Sequence, residues 1–279
     1  RSREPRMDFY VMVARDSQAA EVLSVLTPLE KIPANKLFNS LDRSSKATAT
    51  TTTATLDQII DDLFGRGLTP VLTGVILDGS VGEGMEHSNV ESVEPKTKLR
   101  YRGVAIFRKD KMVGWLDEKE TIGYNYMTDK VVTNTGFVMG TDDRPIIMEA
   151  LRTSTDRKVK IINGQPHIYI KVKTISNVQD VPSEMDIGTT EAMNYLTKEA
   201  EKKTVKLMQT AYNQILSKYN IDPMGFGHLI YQHNPQFWYK FKGKYGEDYL
   251  AEIPVHFSAK FKITRIGTLD KSFRSEVKE

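Results

Sequence analysis

Residues 222–241 read DPMGFGHLIYQHNPQFWYKF. The stretch contains an Asp-Pro pair at 222–223 and an Asn-Pro pair at 234–235. Asp and Asn cap helix N-termini, and Pro is tolerated at the first helical position, so each pair predicts the start of a helix. The apolar face of the first helix would comprise Phe226, Leu229, Ile230 and His233.

The stretch also contains two glycines, Gly225 and Gly227, and a run of aromatic residues. Gly225 and Gly227 each cost ~1 kcal/mol relative to Ala in a helix, so we expect them where the first turn presses on another backbone. The second helix would present Phe237, Trp238 and Phe241. We interpret the stretch as a helix–turn–helix corner that docks aromatic side chains onto a sheet edge. A ligand site and an aromatic patch that binds a partner are the alternatives.

The segments on either side predict what this corner joins. Residues 188–219 have the pattern of a long amphipathic helix, with Asn220 as its natural end. Such a helix should lie across a sheet, because Thr204 breaks the heptad that a coiled coil would need. EIPVHFSAKFKITRIG (252–267) alternates apolar and polar residues, which predicts a half-buried antiparallel strand.

Further strands and turns follow from local patterns. The alternation over 103–107 and 112–115 predicts a hairpin, and Asp117 is a fitting cap for the next helix. Asn163-Gly164 is a strong hairpin signal. The threonine-rich residues 48–55 predict a solvent-facing strand, with a mucin-like linker as the alternative. Other predicted strands cover 7–14, 70–77 and TGFVMG, PIIMEALRTS, KVKIING and PHIYIKVKTIS. Helices are predicted at 18–26, capped by Asp16 or Ser17, at 34–41, and at 55–64, where Gly65 and Gly67 would end the helix.

This order of elements predicts an α+β fold, with antiparallel or mixed sheets packed against long amphipathic helices, and at least two domains. Residues 1–77 would be the remaining part of an N-terminal α/β domain. Residues 78–100, rich in Gly and acids, would be a linker. Residues 101–279 would form a C-terminal α+β domain.

Composition excludes several classes. The 279 residues carry 39 basic and 36 acidic side chains, a net charge of +3, and no cysteine. No basic stripe with interleaved aromatics predicts nucleic-acid binding. No apolar run approaches the roughly 18 residues that span a bilayer. The chain opens without Met, and we interpret it as a fragment whose N-terminal part is missing.

Catalytic motifs are absent from the sequence. None of the five histidines lies in a metal-binding motif, and no nucleophile elbow, phosphate loop or EF-hand pattern occurs. His228 and His233 are too far apart around a helix to share a metal. Asp142-Asp143 is typical of a turn. We therefore predict no catalytic, cofactor-binding or metal-binding residue, and no enzyme.

Several ordered motifs nevertheless resemble the Ger(x)C family, the C subunits of bacterial spore germinant receptors. The family's D-x-x-G-F-G segment, aromatic run and strand ending in R-x-G are matched by Asp222, Gly225, Phe226, Gly227, Trp238, Arg265 and Gly267. Its G-x-A-x-F-x-x-D-K-x-V-G-W-L segment is matched by Gly103, Ala105, Phe107, Asp110, Lys111, Val113, Gly114, Trp115 and Leu116. Residues 25–41 are similar to a segment near the end of the family's N-terminal region.

The resemblance implies a lipoprotein of a sporulating bacterium. Family members carry an acylated (palmitate-type) N-terminal cysteine and sit on the outer face of the spore inner membrane, beside two integral membrane subunits, A and B. That cysteine and its anchor are absent from this chain, which by itself should be soluble. The resemblance implies neither catalysis nor a cofactor.

The resulting hypothesis is a non-catalytic receptor subunit needed for germination, acting in receptor assembly or signal passage. An extracytoplasmic module that binds a small ligand is the alternative, and an enzyme ranks third. The candidate interaction or structural residues are Trp115, Gly225, Phe226, Gly227 and Trp238. Core packing is the competing explanation for the three aromatic ones.

Overall fold

The computed structural model describes residues 7–28, 30, 32–64 and 68–266. Its strands are β1 (Val13–Ala14), β2 (Val71–Asp78), β3 (Lys98–Arg108), β4 (Lys111–Leu116), β5 (Asn134–Met139), β6 (Pro145–Ile162), β7 (Gln165–Asp180) and β8 (Val255–Ile266). Its α-helices are α1 (Ala19–Ser24), α2 (Pro33–Ala47), α3 (Leu56–Phe64), α4 (Val81–Gly84), α5 (Ser88–Glu91), α6 (Glu118–Met127), α7 (Thr190–Gln214), α8 (Phe226–His233) and α9 (Pro235–Tyr245). This confirms the predicted α+β class with mixed sheets.

The first sheet has the order β1-β2-β3-β4. β1 is parallel to β2, whereas β2, β3 and β4 are antiparallel neighbours. β3 and β4 form the predicted hairpin, and Lys109 at its tip has a φ of 58°. The short helices α4 and α5 lie in the connection from β2 to β3, where a loop was expected. The division into domains at residues 78–100 stays a prediction, although the strands that flank this segment are hydrogen-bonded to each other.

The second sheet has the order β5-β6-β7-β8. The segments expected as two separate strands before Asn163 form one strand of 18 residues, β6. Asn163 and Gly164 have φ values of 51° and 77°, which is the turn geometry that an Asn-Gly hairpin requires. The antiparallel prediction for 252–267 was wrong, because β8 runs parallel to β7. The helices after β7 return the chain to the end where β7 began, and such a crossover aligns the two strands.

Helix α7 lies across the second sheet, as predicted, and also packs against α6. Where α6 and α7 cross, a Cβ at Gly123 would collide with the carbonyl oxygen of Leu207, so only Gly permits this approach. Thr204 lies buried on α7, and its hydroxyl donates to the carbonyl oxygen of Ala200. A polar residue on the core face is thus satisfied by the preceding turn of its own helix.

One hydrophobic core joins the two sheets. It contains Val104, Ile106 and Leu116 of the first sheet and Ile168, Ile170 and Val172 of the second, each completely buried. Apolar residues of α6, α7, α8 and α9 belong to the same cluster. Contact between the sheets is therefore mediated by a common apolar interior, to which residues 222–241 contribute buried side chains.

The threonine-rich segment 48–55 contradicts its prediction, since it is neither a strand nor solvent-facing. Thr51 and Thr52 are 3% and 2% exposed. Side chains from other elements satisfy its backbone: Asn125 donates to the carbonyl oxygens of Ala49 and Thr51, and Thr73 exchanges two hydrogen bonds with Thr52. Because the partners are side chains, no strand ladder is needed to bury this backbone.

Two smaller differences concern the first residues. Only Val13–Ala14 of the predicted strand at 7–14 pairs in the sheet, while Tyr10 makes an isolated bridge to Thr55. Helix α1 is capped by Gln18 rather than by Asp16 or Ser17, and the Gln18 N–H donates to Glu21. The predicted end of α3 at Gly65 and Gly67 lies outside the described residues.

Candidate functional site

The aromatic corner, residues 222–249, begins where α7 ends. The last residues of that helix, Ile215–Tyr219, form a π turn. Asn220 then takes the left-handed conformation, with φ 45°, and its N–H donates to the carbonyl oxygens of Ile215 and Leu216. Asn tolerates this conformation, so it ends the helix as the sequence predicted. The chain reverses here and carries α8 and α9 back onto the core.

The prediction that a helix begins at the Asp-Pro pair was wrong: α8 begins at Phe226, and Gly225, with φ 71°, is its N-cap residue. Asp222 still caps the helix, from a greater distance. Its Oδ2 accepts a hydrogen bond from the N–H of Gly227 at 2.7 Å and from the hydroxyl of Tyr249 at 2.8 Å. Pro223 lies in the turn before α8 and not at the first helical position. His233, expected on the apolar face, is exposed at the end of α8.

The carboxyl group of Asp222 is buried, and the half-buried guanidinium of Arg157 lies near it. Burial raises the pKa of Asp222, against hydrogen bonds from Gly227, Phe226 and Tyr249 and the charge of Arg157. Burial likewise lowers the pKa of Arg157 and raises the pKa of Tyr249. The Arg157 guanidinium donates to the carbonyl oxygen of Met224 and lies 5.8 Å from the centre of the Phe226 ring. The network ties α8 to β6.

Gly227 is required by side chains, not by another backbone as predicted. A Cβ there would lie 2.6 Å from Cη2 of Trp238 and 2.8 Å from the hydroxyl of Tyr249. These two rings meet edge-to-face, with centroids 5.0 Å apart. Beside Gly225, the nearest atom is Cδ2 of Leu68, at 2.9 Å from a built Cβ. The predicted Asn234 cap is present, since its side chain accepts from the N–H of Phe237 at 3.0 Å.

Four of the five candidate residues thus belong to one packed unit. Phe226 is fully buried and Trp238 is 4% exposed, so neither offers a surface to a partner in this conformation. Gly225 is the N-cap residue of α8, and Gly227 leaves room for the Trp238 ring. The corner locks the end of α7 onto the core, and an interaction role for these four residues stays a prediction.

Trp115, the fifth candidate, lies elsewhere, in a cleft of about 490 Å³ between the first sheet and the π turn. We call this the Trp115 cleft. Its lining residues are Arg15, Val113, Gly114, Trp115, Asp117, Glu120, Gln214, Lys218 and Tyr219. The guanidinium carbon of Arg15 lies 4.6 Å from the centre of the indole ring, a cation–π distance.

Two glycines leave the space that the Trp115 indole and the neighbouring Tyr219 ring occupy. A Cβ at Gly74 would lie 2.5 Å from Cζ3 of the indole. At Gly114, a Cβ would collide with the Tyr219 ring, whose hydroxyl donates to the carbonyl oxygen of Trp115 at 3.0 Å. The cleft is therefore built into the packing of β2, β4 and the π turn. Sequence reasoning named Trp115 and missed Arg15, Lys218 and Tyr219, because no pattern links residues about a hundred positions apart.

Among the described residues, histidine and acidic side chains form no cluster of three or more that could hold a metal ion. His167 and His256 stack on neighbouring strands, with Nδ1 and Nε2 at 3.1 Å, in agreement with the expectation of hydrogen-bonded surface histidines. Asp142 serves the expected turn: the Ser183 hydroxyl donates to it and lowers its pKa to about 2. Within residues 7–28, 30, 32–64 and 68–266, no three His, Asp or Glu side chains are placed to hold a metal ion. In the same ranges, no helix combines the length and apolarity that crossing a bilayer would take.

Comparison with known families gives the class of protein. The family model described as "Spore germination B3/ GerAC like, C-terminal" matches residues 102–267. A second, described as "Spore germination protein N-terminal domain", matches residues 1–77. Together they cover most of the chain, in the order that the resemblance implied. The chain belongs to the GerAC-like, or Ger(x)C, family of spore germination proteins, and a role in spore germination follows.

Individual relatives support this assignment. Spore germination protein KC of Bacillus subtilis (strain 168) is 25% identical over 281 residues, which cover 100% of this chain and 69% of that protein. Spore germination protein B3 of the same organism is 29% identical over 182 residues, 63% of this chain and 47% of the relative. The crystal structure of the GerBC protein matches with a TM-score of 0.65 and 20% identity, covering 92% of this chain and 68% of that one. This last likeness shows the fold.

Proposed function

We propose that this protein is the non-catalytic C subunit of a nutrient germinant receptor, acting in receptor assembly or signal passage. It would work at the outer face of the spore inner membrane, beside integral membrane A and B subunits and anchored by an N-terminal lipid. The observation that carries this proposal is the match of two germination-family models, in order, along the chain. None of the matched descriptions names a reaction, which favours a role without catalysis.

Helix α3 supplies a surface for contact with such a partner. It is amphipathic, yet none of its residues is fully buried. Leu63 and Phe64 are 38% and 85% exposed. Acidic Asp57 and Asp61 on the same helix would be repelled by anionic lipid. We assign the α3 surface, Leu56–Phe64, to an apolar groove with a basic rim on a partner subunit, because helix-in-groove docking combines both features.

An extracytoplasmic module that binds a small ligand remains the second candidate. The Trp115 cleft favours it, since its volume lies within the range of about 300–1,000 Å³ that small-molecule sites occupy. The cleft is lined by both charged and aromatic side chains. The two roles are compatible, because the cleft and the α3 surface are formed by different residues.

Gene deletion tests the proposed function. Spores without the gene should fail to germinate in the nutrient that the receptor recognises and should germinate normally in others. Restoring the full-length gene should restore the response, and a version in which the lipidated cysteine is replaced by Ala should not. Normal germination of the deletion strain in every nutrient, with genes for similar receptors also removed, would refute the proposal.

A further inference from the structure

The Trp115 cleft is lined by two cationic side chains, Arg15 and Lys218, as well as by two carboxylates. Arg15 donates from Nη1 to the carbonyl oxygen of Arg102 at 3.2 Å, while its Nε has no hydrogen-bond partner among the described residues. The nearest carboxylate, that of Asp16, lies 3.7 Å from Nε on a largely exposed side chain. The Lys218 ammonium lies over the Tyr219 ring at 5.1 Å and makes no ion pair within the described ranges.

The acidic residues of the cleft are already engaged. Asp117 and Glu120 form the capping box of α6. The Asp117 carboxylate accepts from the N–H of Glu120, and the Glu120 carboxylate accepts from the N–H of Asp117, each at 2.8 Å. One oxygen of each carboxylate, Oδ1 of Asp117 and Oε2 of Glu120, is therefore held by the backbone of the helix terminus. Among the described residues, neither Arg15 nor Lys218 forms an ion pair with these two carboxylates, so both cations can meet a ligand.

The rest of the lining consists of Val113, Gly114, Trp115 and Tyr219 together with the polar side chain of Gln214. The indole of Trp115 is fixed by Gly74 and by the Arg15 cation, and Val113 beside it is 36% exposed. The π turn places Lys218 and Tyr219 on the facing wall. Such turns are frequent at functional sites in helices. An aromatic wall next to two cations suits a molecule with both an apolar part and an anionic end.

We infer that the Trp115 cleft binds a small organic carboxylate, whose anionic end meets Arg15 and Lys218 and whose apolar part packs on Trp115. Arg15 comes from the region matched by the N-terminal family model and the other two from the C-terminal one. A ligand here would therefore link the two matched regions. The inference deepens the ligand-binding alternative and does not depend on the receptor role.

Benzoate is a suitable probe, with benzamide as its neutral analogue. Titration of the purified 279-residue chain would be followed by the indole N–H signal of Trp115 in ¹H–¹⁵N spectra, assigned with the variant Trp115→Phe. We expect benzoate to shift this signal and benzamide to leave it unchanged. Hydrogen bonds to a charged group are strong enough that Arg15→Met or Lys218→Met should each weaken binding by about tenfold or more.

Lys202→Met is the control, because it removes an exposed cation of α7 that lies outside the cleft and should leave benzoate binding unchanged. Thermal unfolding of each variant shows whether it is folded, and the exposed Lys218 provides a result even if Arg15→Met is unstable. Equal binding of benzamide, equal binding of sulfate, or unchanged affinity in both variants would overturn the inference. Binding of an acidic peptide but of no small carboxylate would also overturn it, by assigning the cleft to a protein partner. Because the assay uses purified protein, its failure leaves the germination test unaffected.

Discussion

In the aromatic corner, the missing side chain of Gly227 matters as much as the hydrogen bond that its N–H donates. Gly227 leaves room for two rings, and its N–H is held by the buried carboxylate of Asp222. Trp238 and Tyr249 fill the room so created. A larger residue at 227 would therefore separate the rings and stretch the hydrogen bond at once.

Substitution Gly227→Ala should destabilise the protein by ~1–3 kcal/mol, the usual cost of overpacking a core, despite the better helix propensity of Ala. Gly243→Ala is the control, because it lies in α9 and a Cβ there meets nothing within 4 Å. That control should stabilise the protein by ~0.5–1 kcal/mol. Urea unfolding measures both, and equal changes of the same sign would contradict this account.

The buried carboxyl of Asp222 predicts a pH dependence. Burial raises its folded-state pKa above the ordinary value of 3.8. An acid of this kind binds its proton more tightly when folded, so its stabilising contribution is present below pH 3.8 and is lost as the pH rises through the folded-state pKa. Asp222→Asn keeps an acceptor for Gly227 and Tyr249 but cannot ionise. The free energy of unfolding of the variant should therefore rise relative to the parent protein with increasing pH.

The measurement is a series of urea unfolding curves for both proteins from about pH 4 to about pH 8, a range above the ordinary aspartate value. A constant difference between the two proteins across this range would show that Asp222 titrates normally and that the account of its burial is wrong.

The amphipathic helices differ in how many of their residues are buried. This difference distinguishes a helix that packs on the core from one whose apolar face is available to a partner. Helix α7 buries seven residues along its length, whereas α3 buries none. Both have the amphipathic pattern that predicts a helix packed on a core. Only the neighbouring elements decide whether the apolar face of such a helix is covered, and for α3 the described residues leave its C-terminal part open.

The α3 surface can be tested directly. The double variant Leu63→Ser/Phe64→Ser should change the free energy of unfolding by no more than about 0.5 kcal/mol per site, as at other exposed positions. It should nevertheless reduce co-purification of the A and B subunits from spore membranes. Val93→Ser, at a fully exposed position outside α3, is the control. Unreduced co-purification of the double variant would remove α3 from the proposed interface.

The molecule as a whole is held by a core that both sheets share. Leu116 of the first sheet and Ile168 of the second belong to one apolar cluster, with the helices between them. Parts of a chain that share their buried surface lose it together on unfolding. The first and second sheets should therefore unfold in a single transition, even though two family models divide the sequence.

The two tryptophans report on this directly, since Trp115 lies in β4 and Trp238 in α9. In Trp238→Phe the fluorescence reports on the first sheet, and in Trp115→Phe it reports on the aromatic corner. In each variant, the fluorescence and far-UV circular dichroism curves in urea should have the same midpoint. A fluorescence change of Trp115 that precedes the loss of ellipticity would instead indicate separately unfolding domains.

Local signals predicted much of this fold and little of its candidate site. Asn163-Gly164, the Asp117 cap and the Asn234-Pro235 start were all read correctly, because each acts on its immediate neighbours. The prediction of a solvent-facing strand at residues 48–55 was wrong, because the hydrogen-bond partners of this segment, Thr73 and Asn125, are remote in sequence. The Trp115 cleft could not be predicted for the same reason, since residues distant in sequence line it.

The sequence alone determined most of the element types, the α+β class and the family, since these rest on periodicity, capping and ordered motifs. Tertiary structure decided the direction of β8, the burial of residues 48–55 and the real setting of the aromatic corner. It also decided that Arg15 stacks on Trp115. Helix and turn preferences are short-range, whereas the pairing of strands and the burial of a charge depend on which distant residues the compact chain brings into contact.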